Sequence, residues 1–245
     1  MLAWLLPLIF APFAGSLVGV LIRRLPAGRA VMWARSECET CGCRLGPADL
    51  IPVASYLLLR GHCRHCNAPI GPFHPAVELA AFAVALTAVL AAPEPGLAWA
   101  GCGLGWGLLA LGWIDWQHWR LPDALTLPLV ILGLVATALL LPAALPDHAI
   151  GAMVGWAAFR GISLLYRWLR GREGLGEGDA KLLAVAGAWV GWPNLPMVVL
   201  LAALLGIGVA FARGGRLRGS LVLPFGPCMA VALWLVWLDA TASSF

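Results

Sequence analysis

Two sets of residues in this chain have the types and spacing of chemistry. The first is a pair of Cys-x-x-Cys steps, Cys38-Glu39-Thr40-Cys41 and Cys63-Arg64-His65-Cys66. Thiolates spaced in this way close around one metal ion, and two such steps complete the tetrahedral Cys₄ set that suits zinc. The flanks repeat as well, Cys41-Gly42-x-x-Leu45 against Cys66-Asn67-x-x-Ile70. Gly and Asn are the residues that best tolerate the left-handed backbone of a thiolate knuckle. Cys43 is a fifth thiol nearby, either a substitute ligand or a bystander, and His62 and His65 flank the second pair without being needed. Disulfides or free thiols are the competing reading. Cys102 and Cys228 sit in apolar runs and read as small core residues.

The second set is acidic. Asp115 ends the apolar run Leu111-Gly112-Trp113-Ile114-Asp115-Trp116, and Asp179 opens another in Gly176-Glu177-Gly178-Asp179-Ala180-Lys181. Two carboxylates sharing a site hold one proton between them. Such a pair can hydrolyse a peptide bond, one member taking a proton from water while the other polarises the carbonyl. Gly176 and Gly178 leave room for an extended substrate backbone beside Asp179, and Lys181 pairs with an acid or reaches for the interface. Asp123, after Pro122 and before an apolar run, reads as a helix cap, and Glu78 as a cap or a cross-helix partner. Gly101-x-Gly103-x-Gly105 lies inside an apolar run with no strand before it, so it reads as helix packing and not as a nucleotide loop.

The elements that must carry these residues follow from composition. Of 245 residues 61% are hydrophobic and 11% charged, and the mean hydropathy is +0.87. A soluble domain carries about 25% charged residues, so a soluble enzyme and a disordered chain are both excluded. Runs long enough to span a bilayer lie at Met1–Ile22, His74–Ala92, Gly96–Trp116, Ala124–Leu141 and Ala149–Tyr166, then at Leu195–Ala212 and Leu221–Leu238; between them the 13-residue run Ala180–Trp192 is short and has to begin at or before Asp179 to cross. The first lacks a basic start, its Arg23 and Arg24 following the apolar run, so it reads as a retained helix and not a signal peptide. The expected fold is an all-α polytopic membrane protein of about eight spans. Residues 1–22 form the first helix, 23–73 a tetracysteine zinc domain inserted after it, and 74–245 a membrane aspartyl protease domain of about seven helices.

All 16 Lys and Arg residues fall on one side of this topology. The opposite segments, Pro93–Pro95, Pro142–His148, the turn at Pro193 and the C-terminal tail, hold none. Under the positive-inside rule the basic side is cytoplasmic. The Cys₄ segment then lies in a reducing compartment, which disfavours disulfides. Asp115 and Asp179 fall at one depth at that same side.

With these motifs in order, the chain resembles the type IV prepilin peptidases, the leader peptidase/N-methyltransferases of pilus and type II secretion systems. The resemblance is carried by Arg35-Ser36, Asp49-Leu50-Ile51-Pro52-Val53, the run from Leu59 to Cys66, and Pro75-x-x-Glu78. Further on it is carried by Ile114-Asp115, Leu121-Pro122-Asp123, the Gly176–Asp179 stretch with Lys181, and Pro224-Phe225-Gly226-Pro227. Trp116-Gln117 and Cys43 are departures. The resemblance implies that Asp115 and Asp179 are the catalytic pair, with Gly176, Gly178 and Lys181 in the active-site loop. It implies cleavage of a short basic leader from prepilins and pseudopilins on the cytoplasmic side of a bacterial inner membrane, after glycine. It also implies N-methylation of the new terminus with S-adenosylmethionine, for which no separate cofactor motif stands in the chain. The implied partners are prepilins and the lipid bilayer, with no nucleic acid. A proton-coupled transporter would also use membrane acids, but it leaves the Cys₄ segment without a role. A preflagellin peptidase or a non-catalytic assembly factor are the further alternatives.

Overall fold

In lipid a backbone has to satisfy its own polar groups, so an apolar run of spanning length becomes a helix. The computed structural model describes residues 2–31, 36–38, 40–171, 176–213 and 224–243. Arg35, Arg172, Arg216 and Arg218, as well as the start of the Leu221–Leu238 run, lie outside the described residues. Among those described, seven helices are long and apolar enough to cross a membrane. They are α1 (Leu2–Arg24), α3 (Phe73–Ala91), α4 (Pro95–His118), α5 (Asp123–Leu140), α6 (Leu145–Arg170), α7 (Glu177–Ala212) and α8 (Gly226–Ser243), with a short α2 (Ala54–Leu58) between α1 and α3.

Helix α7 has 36 residues, and straight it would be about 54 Å long, well beyond a bilayer core of about 30 Å. It is not straight. Gly191 has φ 72° and ψ 166°, a conformation that only glycine adopts at little cost. The turn therefore falls at Gly191, two residues before the Pro193 where it was expected, and Pro193 opens the returning segment, where no N–H is needed. Asn194 Nδ2 donates to the Val190 carbonyl (2.7 Å) that the break frees. The break is held at the end of the bundle where α6 begins: Trp192 Nε1 donates to Asp147 Oδ1 (3.0 Å) and His148 Nδ1 lies 3.0 Å from the Ala188 carbonyl. At the other end Lys181 meets Asp123, and the Arg213 guanidinium stands 4.3 Å over the Trp116 ring. Segments 177–190 and 192–212 thus run in opposite directions, and the described residues make eight passes.

Small residues let the helices approach. A Cβ on Gly187 would fall 2.0 Å from the Gly151 carbonyl oxygen, and one on Gly155 would fall 2.5 Å from that of Leu183. Gly151-x-x-x-Gly155 is thus the face on which α6 meets the first half of α7, a small-residue seam of the membrane kind. The α4 glycines act as helix packing, as their place in the sequence implied: Gly101 and Gly105 lie under Trp237 and Trp234 of α8, whose rings stack at 5.2 Å. Among the described residues every Lys and Arg lies toward one end of the bundle, that of the tetracysteine segment. Trp4, Ala92, Leu97 and Leu141 cluster at the opposite end, which holds none of the described Lys or Arg residues.

Single-cysteine or reporter fusions at residues 94, 145 and 193 should report one side of the membrane and those at 45 and 170 the other. Residue 193 reporting with 170 would mean that α7 does not turn back at Gly191.

Candidate active site

Asp115 sits in the last turn of α4, which closes where Trp119, in the left-handed conformation (φ 55°), donates its N–H to the Asp115 carbonyl at 2.9 Å. Arg120, Leu121 and Pro122 follow, and Pro122 cannot continue a helix. The Asp115 side chain is 7% exposed. Its Oδ2 accepts the N–H of Gly226 (3.1 Å), the first residue of α8. That position has to be glycine, since a Cβ there would fall 2.5 Å from the carboxylate oxygen. A helix N-terminus presents free N–H groups and positive potential, so the carboxylate is met by the chain's own dipole where water is scarce.

Asp179 lies in the first turn of α7, its N–H donated to the Gly176 carbonyl (3.2 Å). The two acids, 64 residues apart in sequence, come to the same end of the bundle, one in the last turn of α4 and the other in the first turn of α7. The end of α4 and the starts of α5, α7 and α8 therefore meet around them. Gly176 is exposed, and a Cβ there would fall 3.4 Å from an Asp179 carboxylate oxygen, whereas a Cβ on Gly178 would fall 2.9 Å from that of Leu121. The space that Gly178 leaves is thus taken by the α4–α5 turn.

Asp123 departs from its expected place as a cap. It is the first residue of α5, Pro122 holds the cap position, and no side-chain cap bond is made. Its carboxylate instead accepts from Lys181 Nζ at 2.5 Å, which answers the question of Lys181's partner. The pair ties the start of α5 to α7 two residues beyond Asp179. Arg160 of α6 pairs similarly with Glu177. Glu78 reaches across instead of capping: its Oε2 accepts the Val53 N–H (2.8 Å) just before α2.

The four cysteines come together. The Sγ atoms of Cys38, Cys41, Cys63 and Cys66 all lie within 4.8 Å of one another, with Cys38 and Cys66 3.9 Å apart. A tetrahedron of about 2.3 Å zinc–sulfur bonds has edges of about 3.8 Å, so the set fits such an ion. Each pair sits in the same knuckle. Gly42 N–H bonds the Cys38 carbonyl and Cys38 N–H the Cys43 carbonyl (both 2.9 Å), while Asn67 N–H bonds Cys63 (3.0 Å) and Cys63 N–H bonds Ala68 (2.9 Å). Gly42 (φ 68°) and Asn67 (φ 53°) are both left-handed, as the repeat in the sequence required. The Cys41 and Thr40 backbone N–H groups hold the Cys38 thiol down to about 6, which favours the thiolate a metal needs. Cys43, His62 and His65 are exposed and stand outside the set.

The family model of the Bacterial Peptidase A24 N-terminal domain matches residues 9–92, and that of the Type IV leader peptidase family matches residues 102–211. A Burkholderia pseudomallei protein described as prepilin leader peptidase/N-methyltransferase is 45% identical over 208 residues, covering 84% of this chain and 67% of that protein. A Pseudomonas aeruginosa protein of the same description is 39% identical over 217 residues, covering 86% and 74%. An Aeromonas hydrophila one is 38% identical over 274 residues, covering 98% and 93%. No solved structure matches the chain.

The Lys181–Asp123 pair is half in solvent, with side-chain exposures of 31% and 57%, so it contributes no more than about 1 kcal/mol. Asp123→Asn should therefore slow peptide cleavage by about fivefold at most, and the charge-exchanged double variant Asp123→Lys/Lys181→Asp should recover part of the loss. A drop beyond a hundredfold in a timed cleavage assay would place Asp123 in the chemistry itself.

Proposed function

The chain belongs to the type IV leader peptidase family, and we propose on that premise that it removes the leader of prepilins and pseudopilins as a membrane-embedded aspartic endopeptidase. Cleavage falls after glycine on the cytoplasmic side, and the new N-terminal amine is then methylated from S-adenosylmethionine. The observation that supports this reading is the placing of Asp115 in the last turn of α4 and of Asp179 in the first turn of α7, with Gly178 packed on Leu121 of the turn that follows Asp115. The positive-inside rule makes the basic end of the bundle cytoplasmic, where a leader that has not crossed is still available, and the bacterial relatives support a bacterial inner membrane. A proton relay would need acids spread across the bilayer, and this pair sits at one end.

The chemistry runs as follows in this geometry. The Gly226 N–H on Asp115 suits the ionised partner, so Asp115 takes a proton from a water held between the carboxylates. The water oxygen bonds the scissile carbonyl carbon while protonated Asp179 gives its proton to the carbonyl oxygen. In the collapse, Asp115 returns a proton to the leaving nitrogen and Asp179 recovers one from the new hydroxyl. The C–N bond breaks, leaving the leader's carboxyl group and a free amine. The apolar helix of the substrate lies alongside the spans, with its cut site level with the acid pair.

Zinc in the Cys₄ set is structural. Four thiolates close the tetrahedron, so no position is left for water or substrate. The tetracysteine segment is small and polar, and the metal supplies folding free energy that apolar burial cannot.

Asp115→Asn and Asp179→Asn should each lower cleavage of a prepilin by about 10²- to 10⁴-fold while the protein still inserts in membranes. The readout is the mass of the product's N-terminus after incubation with and without S-adenosylmethionine. Near-normal cleavage by either variant removes that residue from the mechanism. Purified protein should carry about one zinc. Cys38→Ser or Cys66→Ser should lose it and open residues 38–70 to proteolysis, and Cys43→Ser should keep it. Metal-free wild-type protein with a protected segment would rule out the zinc assignment.

A further inference from the structure

Asp179 stands in a stretch with little of its own to hold it. Gly176 and Gly178 precede it without side chains, and the start of α7 makes no side-chain cap bond. The charged side chains nearest to it in sequence are Glu177 and Lys181. They lie four residues apart with the Glu first, the spacing and order at which such residues pair with each other along a helix. The structure pairs them otherwise. Glu177 is taken by Arg160 of α6, and Lys181 by Asp123 of α5.

At about 100° per residue, Glu177 and Lys181 leave the helix within about 40° of one another, and Asp179 leaves it about 160° from both. The two pairs therefore grip the back of the turn that carries Asp179, and neither includes Asp179 or Asp115. One pulls toward α6 and the other toward α5. A rotation of α7 that relaxes one pull stretches the other, so together they fix the helix about its axis. α6 can serve as the post because its Gly155 lies against the same segment of α7, where a Cβ would fall 2.5 Å from the Leu183 carbonyl oxygen. Both pairs are partly exposed, so each adds little stability. Their use lies in direction.

The arrangement contains its own competitor. Without Arg160, Glu177 has Lys181 one turn away, and Lys181 then leaves Asp123. Without Glu177, Lys181 has no such choice and stays where it is. We propose that Arg160 is a positioning residue for peptide cleavage: it draws Glu177 away from Lys181, keeps Lys181 on Asp123, and so holds the rotation of α7 at which Asp179 works. This inference rests on the peptidase reading above.

The test is steady-state cleavage of a prepilin by purified full-chain variants, each checked for a single gel-filtration peak. Glu177→Gln loses one pair and should lower kcat by about fivefold at most. Arg160→Met loses that pair and also releases Glu177 onto Lys181, so kcat should fall by about ten- to twentyfold. The double variant Arg160→Met/Glu177→Gln has no competitor and should return to the level of Glu177→Gln. Arg160→Lys, which keeps the charge, should recover most of what Arg160→Met loses. KM should stay unchanged throughout, since none of these side chains meets the substrate. A plain ion pair gives the same loss in both single variants and in the double one. Arg160→Met no slower than Glu177→Gln, or a double variant no faster than Arg160→Met, therefore overturns the proposal. A change confined to KM overturns it too, by making Glu177 a contact of the substrate. Wild-type protein that cuts no prepilin overturns the peptidase reading itself, a result seen before any variant is compared.

Discussion

The bilayer offers a carboxylate almost no solvent, so the chain itself has to solvate Asp115 and Asp179. The bond from Gly226 to Asp115 (3.1 Å) answers that need, and much of the fold serves it. It requires the start of α8 to touch the end of α4, which in turn requires a residue without a Cβ. α8 is held there along its length by Trp234 and Trp237, seated over the glycines of α4. Asp179 arrives from α7, whose first half lies against α6 through backbone contacts at Gly151, Gly155 and Gly187. Small residues in this protein are thus not slack in the sequence. They set how closely α8 lies on α4 and α7 on α6, the packing that places each acid and that neither acid controls by itself.

The tetracysteine segment is fastened to the membrane helices by the same economy of polar groups. Val53 is a β-branched residue with φ 58°, a conformation that costs on the order of 1–3 kcal/mol. The buried Glu78 of α3 holds its N–H at 2.8 Å. A single carboxylate therefore satisfies a strained donor and anchors the segment, and Arg64 does similar work inside it by pairing with Asp49 at 2.8 Å. Metal binding and docking are accordingly linked, since the knuckles that close on the ion belong to the same short stretch that Glu78 grips.

Much of this was legible in the sequence because lipid and metal impose periodicities that a single chain displays. Spans announce themselves by length, the basic end by where Arg and Lys stop, and the knuckles by a repeat whose Gly42 and Asn67 both prove left-handed. The family could be read from motifs in order. What could not be read depends on partners far away in sequence. Asp123 has the local look of a cap, but Lys181, 58 residues on, claims its carboxylate. The Gly151–Gly155 seam carries a visible four-residue spacing, but its meaning depends on facing Gly187. Pro193 signals a turn more loudly than Gly191, yet a positive φ belongs to the glycine. Gly226 showed itself as part of a motif, while its reason lay in the oxygen of Asp115.

The fold-back at Gly191 has a consequence for how the protein enters its membrane. Segment 177–190 rises only about 20 Å at 1.5 Å per residue, short of the hydrocarbon thickness of about 30 Å. An insertion machinery that reads hydrophobic length has no reason to release it alone into lipid. It enters as one arm of a helical hairpin with segment 192–212, against an α6 already in place to receive its glycine face. Asp179 is thus carried into the bilayer late, when the chain that shields it has been made, and the nascent protein does not present that acid to lipid on a lone helix.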